Sequence, residues 1–304
     1  MAKSTFKWQW IILCVACFSA MPPARAGVTA DEGLARIREK NTMVLAYRKG
    51  QLPFSDLDEN NRVSGYSIAL CQKIADAVKR ELKLPHLKVQ YLAVDGDTRF
   101  SSILSGQADI ECGSTTNNAE RRNKVAFTIP HFFTTVRMLT RADSDIRNWI
   151  DLQSKKVGVT KGGSMVEMVR TRSSIRSLYI TLVPAIYESI SMAQLESGEV
   201  DACVNDTVLL HNMLATAKNP AGFIITGDPL SVEQYGLMLR KEDTALKKLA
   251  DLELAHLADS GEIYRIYDHW FMQPIGPRHI SLNMPMSYLL RDALRYPTTR
   301  TITE

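Results

Sequence analysis

Two successive runs of alternating strands and helices constrain the fold of this chain more than any other feature. In the first run, apolar β-rich strands alternate with helices whose apolar residues recur at helical spacing, at 42–47, 67–84, 87–92, 98–104 and 108–111. The second run repeats this plan at 156–160, 165–172, 181–183, 189–195, 200–204 and 223–226. Because each run can bury its own sheet under its own helices, the alternation predicts two similar α/β lobes.

The chain continues past the second run with a predicted strand at 235–239 and an amphipathic helix at 243–260. Its 304 residues suffice for two domains of ordinary size. The net charge of +4 is small and dispersed along the chain, which argues against a nucleic-acid partner.

The first 26 residues have the pattern of a secretory signal peptide. Lys3 and Lys7 precede an apolar run at 8–20, and Ala24-Arg25-Ala26 supplies small residues for cleavage after Ala26. The apolar run is too short to favour a membrane span. Cleavage removes three basic residues and no acid, so the mature charge falls from +4 to +1. We therefore expect a secreted, periplasmic protein, with a lipoprotein signal at Cys17 as the alternative.

Three cysteines remain after the signal, so at least one thiol must be free within the chain. Cys71 and Cys203 lie in apolar runs and are expected to be small core residues, and Cys112 is the third. Their spacing indicates neither a disulfide framework nor a metal site.

The stretch 112–121 combines hydroxyl groups with an arginine at the predicted start of a helix. Hydroxyl donors and a planar guanidinium can together hold a carboxylate, and the free N–H groups of a helix start attract anions. We expect Ser114, Thr116 and Arg121 to bind the carboxylate of a small ligand. The alternative is an ordinary capped helix with a solvated arginine.

Two more arginines are predicted at the same edge of the first sheet. Arg48 ends the first strand, and Arg99 opens the helix at 98–104. Open α/β sheets place ligand contacts at the carboxyl ends of their strands. The alternative for Arg48 is a surface cation in a loop.

The second run offers a hydroxyl and a carboxylate at equivalent places. Ser164 ends the turn Lys161-Gly162-Gly163-Ser164 ahead of a helix, and Asp206 follows the strand at 200–204. We expect Ser164 to face the cleft between the lobes and Asp206 to receive a ligand ammonium group across it. The alternatives are a plain turn and a helix cap. No metal, nucleotide or catalytic-triad motif occurs, so we expect neither a cofactor nor an enzyme.

Several stretches together carry a family resemblance that runs from about residue 45 to 274. They are 53–55, 65–67, 111–118 with Glu120-Arg121, 195–198, 235–236 and 238–241. In these the chain resembles the extracytoplasmic solute-binding proteins of polar amino-acid ABC importers, and most of all those that bind glutamate and aspartate.

The resemblance implies the type II periplasmic-binding-protein fold, with two lobes joined by two crossover strands and a ligand cleft between them. Lobe 1 would comprise residues 27–136 plus 230–304, and lobe 2 residues 137–229. Arg121, with Ser114 and Thr116, would hold the α-carboxylate, and Asp206 the α-ammonium group. Arg48 and Arg99 would face the side-chain carboxylate, with Ser164 donating from the second lobe.

Two departures from the family pattern fall at the side-chain end of the expected site. Glu188 stands where the glutamate/aspartate binders have a histidine, and Gly96 replaces a serine. If Glu188 faces the ligand, it neutralises one arginine and shifts preference toward an amide or another dicarboxylate.

The resemblance implies a monomeric receptor that delivers an acidic amino acid to a membrane ABC permease without chemistry. Two alternatives remain open. One is a secreted dehydratase of cyclic precursors of aromatic amino acids, with Glu188 as its acid, and the other is a ligand-sensing module for a signalling partner.

Overall fold

The computed structural model describes residues 32–276 and 279–298. The expected signal peptide at residues 1–26 lies outside this part of the chain. Among the described helices, none is both long and apolar enough to cross a membrane.

The elements follow the alternation expected from the sequence, with ten α-helices and thirteen strands in the described residues. The helices are α1 Glu32–Lys40, α2 Tyr66–Leu82, α3 Thr98–Leu104, α4 Ala119–Arg122, α5 Met165–Arg176, α6 Glu188–Ser197, α7 Thr207–Thr216, α8 Thr244–Asp259, α9 Glu262–Phe271 and α10 Tyr288–Arg295. The strands are β1 Thr42–Arg48, β2 Asp56–Leu57, β3 Val63–Ser64, β4 Lys88–Val94, β5 Ile110–Glu111, β6 Ala126–Phe127, β7 Phe132–Arg141, β8 Lys156–Thr160, β9 Thr181–Ala185, β10 Ala202–Asp206, β11 Phe223–Thr226, β12 Val232–Tyr235 and β13 Met238–Leu239.

Two sheets form two α/β lobes, as the alternation predicted, in the two-lobed arrangement of the type II periplasmic-binding-protein fold that the resemblance implied. The first sheet has the order β4-β1-β5-β13-β6, and the second has the order β11-β7-β10-β8-β9. In the first sheet β1 runs parallel to β4 and β5, and in the second β8 runs parallel to β9 and β10. The parallel strands therefore end together at one edge of each sheet, where ligand sites of such sheets lie.

A two-stranded antiparallel ribbon joins the lobes. The first half of β7 pairs with β12, from Phe132↔Tyr235 to Thr135↔Val232, and the second half continues into the second sheet. Phe132 and Tyr235 belong to the core of the first lobe, where Phe132 packs 5.0 Å from the ring of Phe271. This aromatic packing fixes one end of the ribbon in the first lobe, and the rest of the ribbon connects the first lobe to the second.

The single strand expected at 235–239 is wrong, since the chain forms two short strands with a break between them. β12 pairs with β7, whereas β13 pairs with β5 and β6 of the first sheet. At the break, a Cβ on Gly236 would lie 3.0 Å from Cβ of Phe127 and 3.2 Å from the carbonyl oxygen of Thr128. The absence of a side chain there lets the chain pass closely from the ribbon into the first sheet.

Cys71 is a buried core residue as expected, but the expectation of no disulfide is wrong, because Cys71 is bonded to Cys112. α2 packs beside the end of β5, which brings together two residues that are 41 apart in sequence. Sequence spacing alone does not encode that approach. Cys203 is the free, buried cysteine of the described residues, so the expectation that one thiol is free is confirmed.

Removing this disulfide is expected to lower the free energy of unfolding by about 4 kcal/mol, because a loop of this length in the unfolded chain loses its constraint. Urea denaturation of a Cys71→Ala/Cys112→Ala variant measures the change. Cys203→Ala is the control, and it is expected to cost about 1 kcal/mol. A double variant as stable as the parent would contradict the stabilising role of the bond.

Candidate ligand-binding cleft

All eight residues predicted for the site line one cavity between the lobes. The space between their atoms, including the part open to solvent, is about 300 Å³. These residues are Arg48, Arg99, Ser114, Thr116, Arg121, Ser164, Glu188 and Asp206. Six further lining residues escaped the sequence analysis: Gln51, Thr160, Gly163, Met165, Asn205 and Leu209.

Strand ends supply the charged and polar groups of both walls. Arg48 ends β1 in the first lobe, and Thr160 and Asp206 end β8 and β10 in the second. Because the cleft lies at the carboxyl edges of both sheets, these side chains face each other across it. Arg48, which the strand-end rule singled out, and Asp206, which follows a strand, both line the cavity.

Arg121 is held beside the cavity by the short helix α4. The side chain of Asn118, and not a Ser or Thr, caps this helix by accepting from the backbone N–H of Arg121 at 2.9 Å. The guanidinium donates from Nη1 to the carbonyl oxygen of Thr116 at 2.9 Å. Arg121 is 8 % exposed, so the alternative of a solvated arginine does not describe this structure.

Arg48 and Arg99 are the other two arginines that the first lobe contributes to the cavity. Arg99 donates from Nη1 to Oγ1 of Thr115 at 2.8 Å and from Nη2 to the carbonyl oxygen of Gly162 at 2.9 Å. Neither Arg48 nor Arg99 has a hydrogen-bond partner for Nε among residues 32–276 and 279–298. Both side chains are buried.

The three guanidinium groups are buried cations without direct counter-ions. No carboxylate of the described chain forms a salt bridge with Arg48, Arg99 or Arg121. Burial lowers the pKa of Arg99 well below its usual range, and the positive charges of Arg48 and Arg121 add to that effect. Burial likewise lowers the pKa of Arg121. Such a cluster favours an anionic ligand, because an unpaired buried charge costs several kcal/mol.

Asp206 offers the complementary carboxyl group. Its Oδ2 accepts a hydrogen bond from the hydroxyl of Tyr235 at 2.5 Å, while Oδ1 has no partner within the described residues. Asp206 stands at the N-cap position of α7, yet its side chain makes no cap hydrogen bond. Burial raises the pKa of Asp206 to about 8, and the nearby charge of Glu233 contributes to the rise. A ligand ammonium group would satisfy the free oxygen.

Glu188 lies inside the cavity and takes part in a hydrogen-bond chain across it. Its Oε1 accepts from Nε2 of Gln51 in the first lobe and from Oγ1 of Thr160 at 3.3 Å. Gln51 in turn accepts from Oγ of Ser114 at 2.6 Å. Gln51 follows β1 in a loop and carried no sequence signal beyond its closeness to Arg48.

Ser164 lines the cavity from the second lobe at the start of α5. Its hydroxyl lies 3.6 Å from Sδ of Met165, and its side chain makes no cap hydrogen bond. The hydroxyl therefore remains able to donate more strongly to an oxygen of a ligand.

The two lobes touch at the mouth of the cleft through two glycines. A Cβ on Gly96 would lie 2.1 Å from the carbonyl oxygen of Lys161, and a Cβ on Gly162 would lie 2.5 Å from the carbonyl oxygen of Gly96. Lys161 Nζ also pairs with Oδ2 of Asp97 at 2.7 Å. The structure therefore has the lobes closed, with backbone against backbone at this edge.

Comparison with known proteins agrees with this architecture. Residues 43–273 match the family model of the bacterial extracellular solute-binding proteins, family 3, and the chain belongs to that family. It is 39 % identical over 279 residues to an L-glutamate/L-aspartate-binding protein of Pseudomonas aeruginosa, covering 90 % of this chain and 92 % of the relative. It is 33 % identical to a glutamate/aspartate import solute-binding protein of Escherichia coli, covering 91 % and 92 %.

The solved structure of the P235GK mutant of ArgBP from T. maritima superposes with a TM-score of 0.70 at 27 % identity. It covers 78 % of this chain and 98 % of that one. The fold of the two lobes is therefore shared with solute-binding proteins of known structure.

Proposed function

We propose that this protein captures an amino acid with an acidic side chain, glutamate or aspartate, and delivers it to a membrane ABC permease. The observation that carries the proposal is the placement of Arg121 and Asp206 on opposite lobes of one closed cavity. An α-amino acid carries the matching pair of charges on adjacent groups. The names of the P. aeruginosa and E. coli relatives support the ligand class.

Each ligand group has a partner in this proposal. The α-carboxylate binds Arg121 and Thr116 together with the backbone N–H of Ser114, whose hydroxyl donates to Gln51. The α-ammonium group binds the free oxygen of Asp206. A side-chain carboxylate meets Arg48 and Arg99, and Ser164 donates from the second lobe. Pairing every charge in this way offsets the cost of burying them, which is several kcal/mol per ion.

Closure of the lobes is the signal that the permease reads. A ligand that contacts both lobes favours the closed form, because it binds that form better than the open one. The change of partners along β7 supports a boundary between lobe 1 at residues 27–136 plus 230–304 and lobe 2 at 137–229. The protein acts as a monomer in the periplasm after cleavage behind Ala26, and it performs no chemistry on its ligand.

Calorimetric titration of the mature protein, refolded to strip bound ligand, tests the proposal. The panel is glutamate, aspartate, glutamine, asparagine and glutarate, which lacks the amine. We expect a micromolar dissociation constant, about −8 kcal/mol, for glutamate or aspartate. Glutarate is expected to bind at least about a hundredfold more weakly, since Asp206 then stays unpaired. A panel in which no amino acid binds, or in which glutarate binds equally well, would overturn the proposal.

Ligand binding is expected to release protons below pH 8. Burial raises the pKa of Asp206 to about 8 in the closed cleft without ligand, so in that form its carboxyl group is mostly protonated at neutral pH. A ligand ammonium group favours the ionised form, and the proton must leave on binding. The apparent affinity should therefore rise with pH from 6 to 8, by up to about tenfold per unit.

Titrations in phosphate and Tris buffers at pH 7 measure this release, because the two buffers differ in ionisation enthalpy. Up to one proton per ligand is expected for the parent protein and none for Asp206→Asn. Equal heats in both buffers for the parent would contradict the coupling.

A further inference from the structure

One carboxylate oxygen of Glu188 accepts hydrogen bonds from the protein, and the other accepts none from the described residues. It is 3 % exposed and lines the cavity at the first residue of α6. Oε1 accepts from Gln51 and Thr160, whereas Oε2 has no hydrogen-bond partner in the part of the chain that the structure describes. A buried acceptor without a donor is costly, so the free oxygen marks a place for a ligand donor.

The orientation of Gln51 fixes Glu188 as an acceptor. The hydroxyl of Ser114 donates to Oε1 of Gln51 at 2.6 Å, which leaves the Gln51 amide nitrogen to donate toward Glu188. Gln51 is 1 % exposed and lies on the first lobe, opposite Glu188 on the second. The pair therefore holds the carboxylate in place across the closed cleft with Oε2 still free.

The free Oε2 of Glu188 interacts differently with a ligand side chain that ends in a carboxylate and one that ends in a carboxamide. A carboxylate has no hydrogen to donate at neutral pH, and it would bring a second negative charge next to Glu188. A carboxamide donates from its NH2 group, and its carbonyl oxygen can accept from the unpartnered Nε of Arg48 or Arg99. The amide thus satisfies polar groups of both signs.

The charge distribution points the same way. Glu188 is close enough to Arg99 to oppose the lowering of its pKa, together with Glu111. Part of the positive charge around the ligand's side chain is therefore neutralised before any ligand binds. A ligand side chain that ends in an uncharged amide does not change this net charge.

We propose that Glu188, positioned by Gln51, is a specificity-determining residue that admits a carboxamide as well as a carboxylate, so that the cleft binds glutamine or asparagine within about tenfold of the corresponding acid. This inference rests on the proposed function, since it names the side chain of an amino acid whose backbone groups bind Arg121 and Asp206.

The isosteric variant Glu188→Gln tests the proposal by removing the charge and one acceptor while keeping the shape. Calorimetry gives the dissociation constants of L-glutamate and L-glutamine for parent and variant at pH 7.5. The parent is expected to bind glutamine with a dissociation constant within about tenfold of that of glutamate. In the variant, the ratio of the two constants is expected to shift toward glutamate by about tenfold or more.

Glu233→Gln is the matched control. Glu233 is also buried and carries the same charge, but it acts on Arg121 and Asp206 at the other end of the ligand. Its removal should change both affinities together and leave their ratio within about twofold.

The outcomes separate the inference from the proposed function. Binding of neither ligand by the parent protein would overturn both. A parent that binds glutamate at least tenfold more tightly than glutamine, or a ratio that Glu188→Gln leaves unchanged, would overturn the role of Glu188 alone.

Discussion

Replacing Arg121 by alanine is expected to abolish binding of every amino acid, acidic or neutral, with a loss of affinity of about a thousandfold. The α-carboxylate is common to all of them, and a buried charge-assisted contact typically costs 2–5 kcal/mol when one partner is removed. Isothermal calorimetry with glutamate and glutamine measures the loss.

The neighbouring Arg122→Ala variant provides the control for this experiment. Arg122 lies on the same short helix and carries the same charge, but it donates to Oδ1 of Asn117 and is not among the residues that line the cavity. The affinities of Arg122→Ala for glutamate and glutamine should stay within about twofold of those of the parent. An Arg121→Ala variant that still binds with parental affinity would refute the anchoring role.

Replacing Gly96 by alanine is expected to hold the lobes apart and weaken binding by about a hundredfold. The added Cβ would lie 2.1 Å from the carbonyl oxygen of Lys161, and backbone atoms on both sides leave no flexible group to move aside. The ligand-binding form is then a minor population, so the apparent affinity falls by the same factor. Small-angle scattering should show that saturating ligand no longer contracts the variant fully.

Lys161→Ala separates the steric effect from the ion pair at the same place. Lys161 and Asp97 are about half exposed, and exposed pairs contribute little. We expect the affinity of Lys161→Ala to fall less than about fivefold. Parental affinity and full contraction in Gly96→Ala would show that the lobes close in another way.

Hydrophobic periodicity predicted the two lobes because each strand–helix unit encodes its own burial pattern locally. The rule that ligands bind at strand ends then led to Arg48 and Asp206 without knowledge of the third dimension. The break at Gly236 escaped prediction because it reflects a change of sheet partner, which no local pattern records.

Contacts across the cleft could not be predicted from the sequence either, because no local pattern records them. Gln51 meets Glu188, and Gly96 meets Lys161 and Gly162, only after two separately folded sheets approach each other. The Cys71–Cys112 bond likewise depends on how α2 lies on the first sheet. Residue type and spacing gave the polar groups of the cleft, whereas their pairing depends on the closed arrangement.

Calorimetric titration of glutamate and glutarate into the parent protein and Asp206→Asn tests the central claim most directly. If Asp206 holds the ligand ammonium group within the same cleft as Arg121, glutarate binds the parent about a hundredfold or more weaker than glutamate does. In Asp206→Asn this ratio of dissociation constants is expected to be at least tenfold smaller. An equal loss in both proteins would contradict the account, because the amine and Asp206 would then act independently.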